Sequence, residues 1–258
     1  MTGKLPSTIR RNGPAIVLMT GIVILWELVC ITGLVPGYML PAPTDIVRAF
    51  IGDFPELCGH AAVTLQEAAI GLLAGVILGF LCAVGMDASD RLYRAVYPIL
   101  VITQTVPTVA IAPLLVLWFG YEMAPKVILI VLVTFFPMAV GLLDGFRAVD
   151  PDSVNLLRSM GADRRQIFRY IKCPAALPQF FSGLRIAAAY SVVGAVISEW
   201  LGGFSGLGVY MTRVRKAYAF DKMFAVIFLI SAISLLLMAL VDRLQKLCMP
   251  YANTKETE

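Results

Sequence analysis

Apolar residues gather into six runs, at about 14–32, 62–86, 97–119, 125–144, 183–201 and 223–241, separated by shorter polar stretches. Several of these runs reach the roughly 20 residues that a helix needs to cross a hydrocarbon layer. The pattern predicts an all-α integral membrane protein with about six transmembrane helices. The first run follows Lys4, Arg10 and Arg11 as a secretory leader would. It is longer than a leader's apolar core, contains Trp26 and Glu27, and lacks a small-residue cleavage site after it, so a retained anchor is expected.

The polar insert 150–185 departs from what a simple connection requires. Val154, Leu157, Met160, Ile167, Phe168 and Ile171 recur at helical spacing, with Asp152 and Ser153 available as caps. Gly161 interrupts the run and permits a sharp turn, and Pro174 and Pro178 reset the chain before the fifth span. The spacing predicts a basic helix–turn–helix, a shape suited to docking a partner. A second amphipathic helix is expected over 208–220, with Tyr210, Val214, Ala217 and Tyr218 turned inward. The outer connection 33–59 carries prolines at 36, 41 and 43, then Thr44 or Asp45 as the cap of a short helix.

Three spans carry polar or small residues that invite two readings each. Gly71, Gly75 and Gly79, continued by Ala83 and preceded by Glu67, form one face of the second span. That face is either a close helix–helix seam or part of a solute route. The third span holds Pro98, Pro107 and Pro113, with Thr103, Gln104, Thr105 and Thr108 among them. Such a break is either a kinked packing helix whose threonines bond their own backbone or an interrupted helix that builds a solute site. The fifth span closes with Ser198, Glu199 and Trp200, then Gly202, Gly203, Gly206 and Gly208. Glu199 either sits at the interface beside Trp200 or points into the bundle. Glu67, Gln104, Thr105, Ser198 and Glu199 are therefore the candidate pathway residues.

Composition agrees with the pattern. Of 258 residues, 59% are hydrophobic, and the mean hydropathy is +0.82. The net charge of +4 is accounted for by membrane orientation and calls for no nucleic acid. Most Lys and Arg fall on one side if both termini are cytoplasmic, the exception being Arg213, Arg215, Lys216 and Lys222 in the loop 202–222. Five scattered cysteines without CxxC spacing and a single histidine, His60, argue against a disulfide framework or a multi-histidine metal centre. No GxxxxGK[ST] loop, GxSxG elbow or HExxH pair occurs, so a nucleotide that energises the protein is held by another polypeptide.

The insert also carries a resemblance. Gly161, Ile171 and Pro174 resemble the EAA loop of ABC-type import permeases, and the stretch from Pro174 to Gly208 is similar to the nitrate, sulfonate, taurine and thiamine-pyrimidine-precursor subfamily. At the head of the motif this chain has Asn155, Leu156 and Leu157 in place of Glu-Ala-Ala, and Cys173 replaces the usual Leu. The resemblance implies a type I ABC importer transmembrane domain with a cytoplasmic coupling helix, organised as 1–59 (tail, first helix, outer loop), 60–245 (permease domain) and 246–258 (tail). It implies ABC ATPase subunits that bind ATP and Mg, an external or periplasmic substrate-binding protein, a second copy of the permease, and a bacterial-type inner membrane location. Asn155, Gly161, Arg164, Arg165, Ile171 and Pro174 would then couple to the ATPase. No catalytic residue, metal or cofactor is expected in the chain itself. The expected solute is a thiamine-pyrimidine precursor or similar heterocycle, because no cation lies among the deep polar residues; a sulfonate, taurine or nitrate importer and a secondary transporter are the alternatives.

Overall fold

The computed structural model describes residues 7–37 and 39–249, so the tail at 251–258 and the tail charge Lys4 lie outside them. The described elements are α1 (Ser7–Ile31), α2 (Pro43–Gly52), α3 (Phe54–Ala88), α4 (Asp90–Thr103), α5 (Thr108–Phe119), α6 (Met123–Arg147), α7 (Pro151–Ser159), α8 (Arg164–Ile167), a π-helical turn Phe168–Lys172, α9 (Cys173–Leu201), α10 (Leu207–Lys216) and α11 (Phe220–Cys248). Among the described residues all secondary structure is helical. Two compact units emerge, one of residues up to Cys58 with Met211–Leu229, the other of Gly59–Tyr210 with the chain from Ile230 onward.

In the larger unit the small-residue stripe of α3 is a helix–helix seam. Lys126 pairs with Glu67 across 59 positions of sequence, and the same offset relates Gly71 to Ile130, Gly75 to Thr134 and Gly79 to Met138. A constant offset means that α3 and α6 run parallel. A Cβ on Gly79 would stand 2.7 Å from the Met138 Cβ and 3.1 Å from the main-chain oxygen of Phe135. The backbones approach that closely only because these positions lack side chains.

Parallel packing decides how many times the chain crosses. The third apolar run is two helices, α4 and α5, bent by 97° at the break between them. A re-entrant hairpin would return the chain to the face it left and make α6 antiparallel to α3. Their parallel course fits a bent pair that traverses the layer once, which with the five long apolar helices gives up to six spans among the described residues. The break is capped from within: the Thr103 hydroxyl donates to the Leu100 carbonyl at 2.7 Å and the Thr105 hydroxyl to Ile102 at 2.8 Å.

α9 packs antiparallel along α6. Gly194 meets Ile130 and Val133, Gly183 meets the Pro137 carbonyl, and Ala176 meets Gly145. At the Arg147 end of α6, Phe146 stacks near Phe168, with centroids 5.2 Å apart, in a core with Met138, Leu142 and Ala176. Lys172 pairs there with Asp87 of α3 at 2.6 Å.

The insert forms its helix–turn–helix with two differences from expectation. The cap of α7 is Asp150, whose carboxylate accepts from the Asp152 and Ser153 amides, rather than Asp152 or Ser153. Pro174 and Pro178 do not reset the chain: α8, the π-helical turn and α9 run on as one helix from Arg164 to Leu201, and the wider turn, in which the Cys173 amide reaches back to the Phe168 carbonyl, directly precedes Pro174. α10 also ends early. Tyr210 and Val214 are buried as expected, but Ala217 and Tyr218 lie beyond its last residue, exposed.

The smaller unit accounts for half of the charges that broke the orientation pattern. Arg213 pairs with Glu56, and Lys222 with Asp53 at 2.7 Å. Glu27 accepts from the Thr44 hydroxyl at 2.8 Å and its amide at 3.2 Å, tying α1 to the start of α2. Trp26 packs against Phe224 and Phe228.

Candidate functional site

The five candidate pathway residues fall into two places. Glu67, Ser198 and Glu199 are buried at the Lys126 end of the larger unit. Gln104 and Thr105 are exposed at the α4–α5 break, Thr105 with its hydroxyl committed to the backbone.

The buried group is a clamp. Glu67 and Lys126, 2% and 5% exposed, form an ion pair of 2.5 Å. The Glu199 carboxylate accepts the Thr64 hydroxyl at 2.8 Å and the Gly208 amide at 2.6 Å. Thr64 accepts in turn from the Leu207 amide at 2.8 Å, and the Gly206 amide donates to His60 Nδ1 at 3.0 Å. Three consecutive amides at the start of α10, orphaned by the helix geometry, are thus satisfied by side chains of α3 and α9. Gly206 has φ +121° and a Cβ there would overlap the Glu199 carboxylate, so both conformation and space require glycine. The Ser198 hydroxyl donates to the Ala195 carbonyl at 2.7 Å.

Gln104 belongs to a second place, a groove of about 410 Å³ between the α4–α5 break, α6 and α9. Its polar lining is Gln104, Asp144, Gln179, Ser182 and Tyr190, all exposed. Sequence reasoning singles out only the first. Asp144 stands where hydropathy ends a span, and Gln179 and Ser182 fall within the polar insert. The signal that finds them is i, i+3 spacing on one face of α9, directly opposite Gly141 of α6.

The residues expected to couple to an ATPase surround a third feature. Gly161 has φ +85°, and a Cβ added to it would meet nothing within 4 Å, so glycine is required there by conformation alone. Asp163 and Gln166 form a capping box at the start of α8. Asn155, Arg164, Arg165 and Pro174 are exposed, and Ile171 is half-buried. Arg158, Arg164, Arg165 and Lys172 line a groove of about 510 Å³ with Asp87 and Asp90. The Asp150 cap lies outside the membrane spans; donation from the Asp152 amide and the Ser153 hydroxyl holds its carboxyl below the usual range.

The basic helix pair α7–α8 thus lies between the long apolar helices α6 and α9. Residues 75–250 match the family described as the inner membrane component of binding-protein-dependent transport systems. The chain belongs to this family. The permease is 40% identical over 216 residues to the formylaminopyrimidine transport permease protein of Halalkalibacterium halodurans, covering 83% of this chain and 86% of that one. It is 30% identical to a putative aliphatic sulfonates transport permease protein of Bacillus subtilis, over 91% and 86% of the two chains. A crystal structure of a bacterial ABC transporter involved in alginate import shares the fold, with TM-score 0.64 at 15% identity, covering 93% of this chain and 97% of that one. The permease is therefore a multi-pass inner-membrane transport subunit of type I importer fold, without ATPase activity of its own.

Five free cysteines and no cluster of potential metal ligands occur among the described residues.

Proposed function

We propose that this permease forms, as a two-fold pair, the membrane pathway for a thiamine-pyrimidine precursor or a similarly flat, amino-substituted heterocycle. The observation that carries the substrate is its 40% identity to a formylaminopyrimidine permease along most of both chains. The sulfonate-type relative stands further off at 30%, and the polar groove contains no cation that would offset desolvation of an anion. An external binding protein delivers the solute, and ATP and Mg are held by separate ATPase subunits. Both ends of the permease face the cytoplasm, the side that receives the basic insert.

In this reading the α7–Gly161–α8 pair is the coupling element. ATPase closure moves the docked pair, and α9, joined to it without a break, transmits the displacement to α6 and the groove. The permease itself performs no covalent chemistry; its work is a shift of population between two arrangements of the bundle.

Ligand screening of the cognate binding protein by thermal shift, followed by uptake into proteoliposomes containing the whole complex, tests the substrate. Stabilisation by aminopyrimidines with matching ATP-driven uptake is expected; a response to taurine or alkanesulfonates alone overturns it. Gly161→Val tests the coupling. A left-handed β-branched residue costs at least about 1–2 kcal/mol locally, so substrate-stimulated ATP hydrolysis should fall several-fold while membrane insertion persists. Unchanged hydrolysis and uptake in this variant would refute the coupling role.

A further inference from the structure

The groove bordered by Gln104, Asp144 and Ser182 has a property the clamp lacks. Its polar side chains are all exposed, and none of Gln104, Asp144, Gln179, Ser182 or Tyr190 has a side-chain hydrogen bond or ion pair among the described residues. Arg147, one turn beyond Asp144, does not neutralise it: the guanidinium lies 3.4 Å over the Tyr93 ring. Asp144 stands at the polar end of α6, three residues before its last residue, and an exposed, unpartnered carboxylate there with four exposed polar neighbours makes this face of α6 and α9 one that meets water or a polar solute. A dry contact with a second copy fits poorly, because it would bury the unpartnered Asp144 carboxylate and two carboxamides without giving them partners of known identity.

The groove's chemistry is specific. Two carboxamides and a hydroxyl supply donors and acceptors, the half-exposed Tyr190 ring supplies a stacking face, and the single formal charge is negative. About 410 Å³ accommodates a substituted heteroaromatic ring. We propose that this groove is the solute-contacting stretch of the pathway, and that Asp144 sets its charge selectivity, accepting amino-bearing heterocycles and repelling sulfonates and other anions. The substrate class rests on the function proposed above; the charge selectivity rests on the groove alone.

The test separates the two. In proteoliposomes containing permease, ATPase and binding protein, Ser182→Cys is labelled with a cationic and an anionic methanethiosulfonate of similar size. The unmutated complex, labelled in parallel, corrects for the native cysteines. The preference for the cationic reagent should exceed that shown by free cysteine about tenfold, the ratio that one nearby charge in a partly screened cleft imposes. Adding Asp144→Asn should bring the ratio close to that of free cysteine, and labelling should block uptake. An inaccessible Ser182→Cys, or a ratio unaltered by Asp144→Asn, overturns the proposal. If the cation preference is found but the unmutated complex drives uptake of no aminopyrimidine, the substrate reading fails and the selectivity of the groove stands.

Discussion

α6 and α9 present polar residues in two places and treat them in opposite ways. At the Lys126 end, Glu67 (through Oε1), Lys126, Thr64 and Glu199 are buried and, with His60, are matched to one another or to the amides of Gly206, Leu207 and Gly208. In the groove, Gln104, Asp144, Gln179 and Ser182 are exposed and matched to nothing among the described residues. A polar group inside a membrane protein needs a partner, because hydrocarbon supplies none. Where the partner is protein, the group holds the fold; where the protein offers none, the partner comes from outside. Pairing, rather than polarity or depth, separates the clamp of this permease from the groove proposed to contact solute.

The largest effect should come from breaking the ion pair. Lys126→Met leaves Glu67 buried without its counter-charge, and one-sided removal of such a partner costs about 3–5 kcal/mol. Asp144→Asn removes a charge that no group among the described residues neutralises and should leave thermal unfolding in detergent unaltered. The double variant Glu67→Gln, Lys126→Met should recover most of the loss. Equal stability of Lys126→Met and Asp144→Asn would erase the distinction between clamp and groove.

Glycines on two faces of α6's surroundings sharpen it next. Gly79→Leu drives a side chain into Met138 and the α6 backbone, neither of which can move far. Overpacking of this kind costs about 1–3 kcal/mol. In the groove, a Cβ on Gly141 would come no nearer than 3.4 Å to the Gln179 carbonyl, an ordinary contact. Gly141→Ala should therefore keep the unfolding temperature of the parent while narrowing the groove, and a solute flux reduced without loss of stability is the expected reading. A Gly141→Ala variant as unstable as Gly79→Leu would show that the groove is packing, not pathway.

The sequence carried the scaffold more openly than the site. Six apolar runs, the glycine stripe and the Gly161 turn are local patterns; five of the runs correspond to single helices, the third to the bent pair α4 and α5, the stripe to a seam and the turn to a left-handed residue. The bend of 97° at Gln104–Pro107 was signalled by its prolines but not its direction, which depends on the course of α6. Glu67 and Glu199 looked alike to Gln104 as polar residues at depth. Which of them has a partner is a fact about Thr64, Lys126 and Gly208, residues far away in the chain, and no periodicity reports it. Asp144 and Gln179 escaped notice because α6 and α9 extend past their apolar cores as continuous helices, and hydropathy ends a span where the side chains turn polar.

The smallest of these effects isolates a single hydroxyl. Thr64 has one proton, donated to Glu199 over the shorter of its two contacts, 2.8 Å against 3.2 Å to the His60 carbonyl. Its oxygen also accepts from the Leu207 amide. Thr64→Val preserves shape but leaves that amide and one Glu199 oxygen unmatched in a buried site. The penalty for such orphaned groups is about 1–3 kcal/mol, and the Gly208 amide still held by Glu199 should keep it near the lower bound. The loss should be local: hydrogen exchange at the Leu207 and Gly208 amides should accelerate about tenfold, the factor equivalent to about 1.4 kcal/mol. Exchange in α6 around Gly141 should not alter. Faster exchange spread evenly over both places would mean that clamp and groove open as one unit, and the distinction drawn from their pairing would fail.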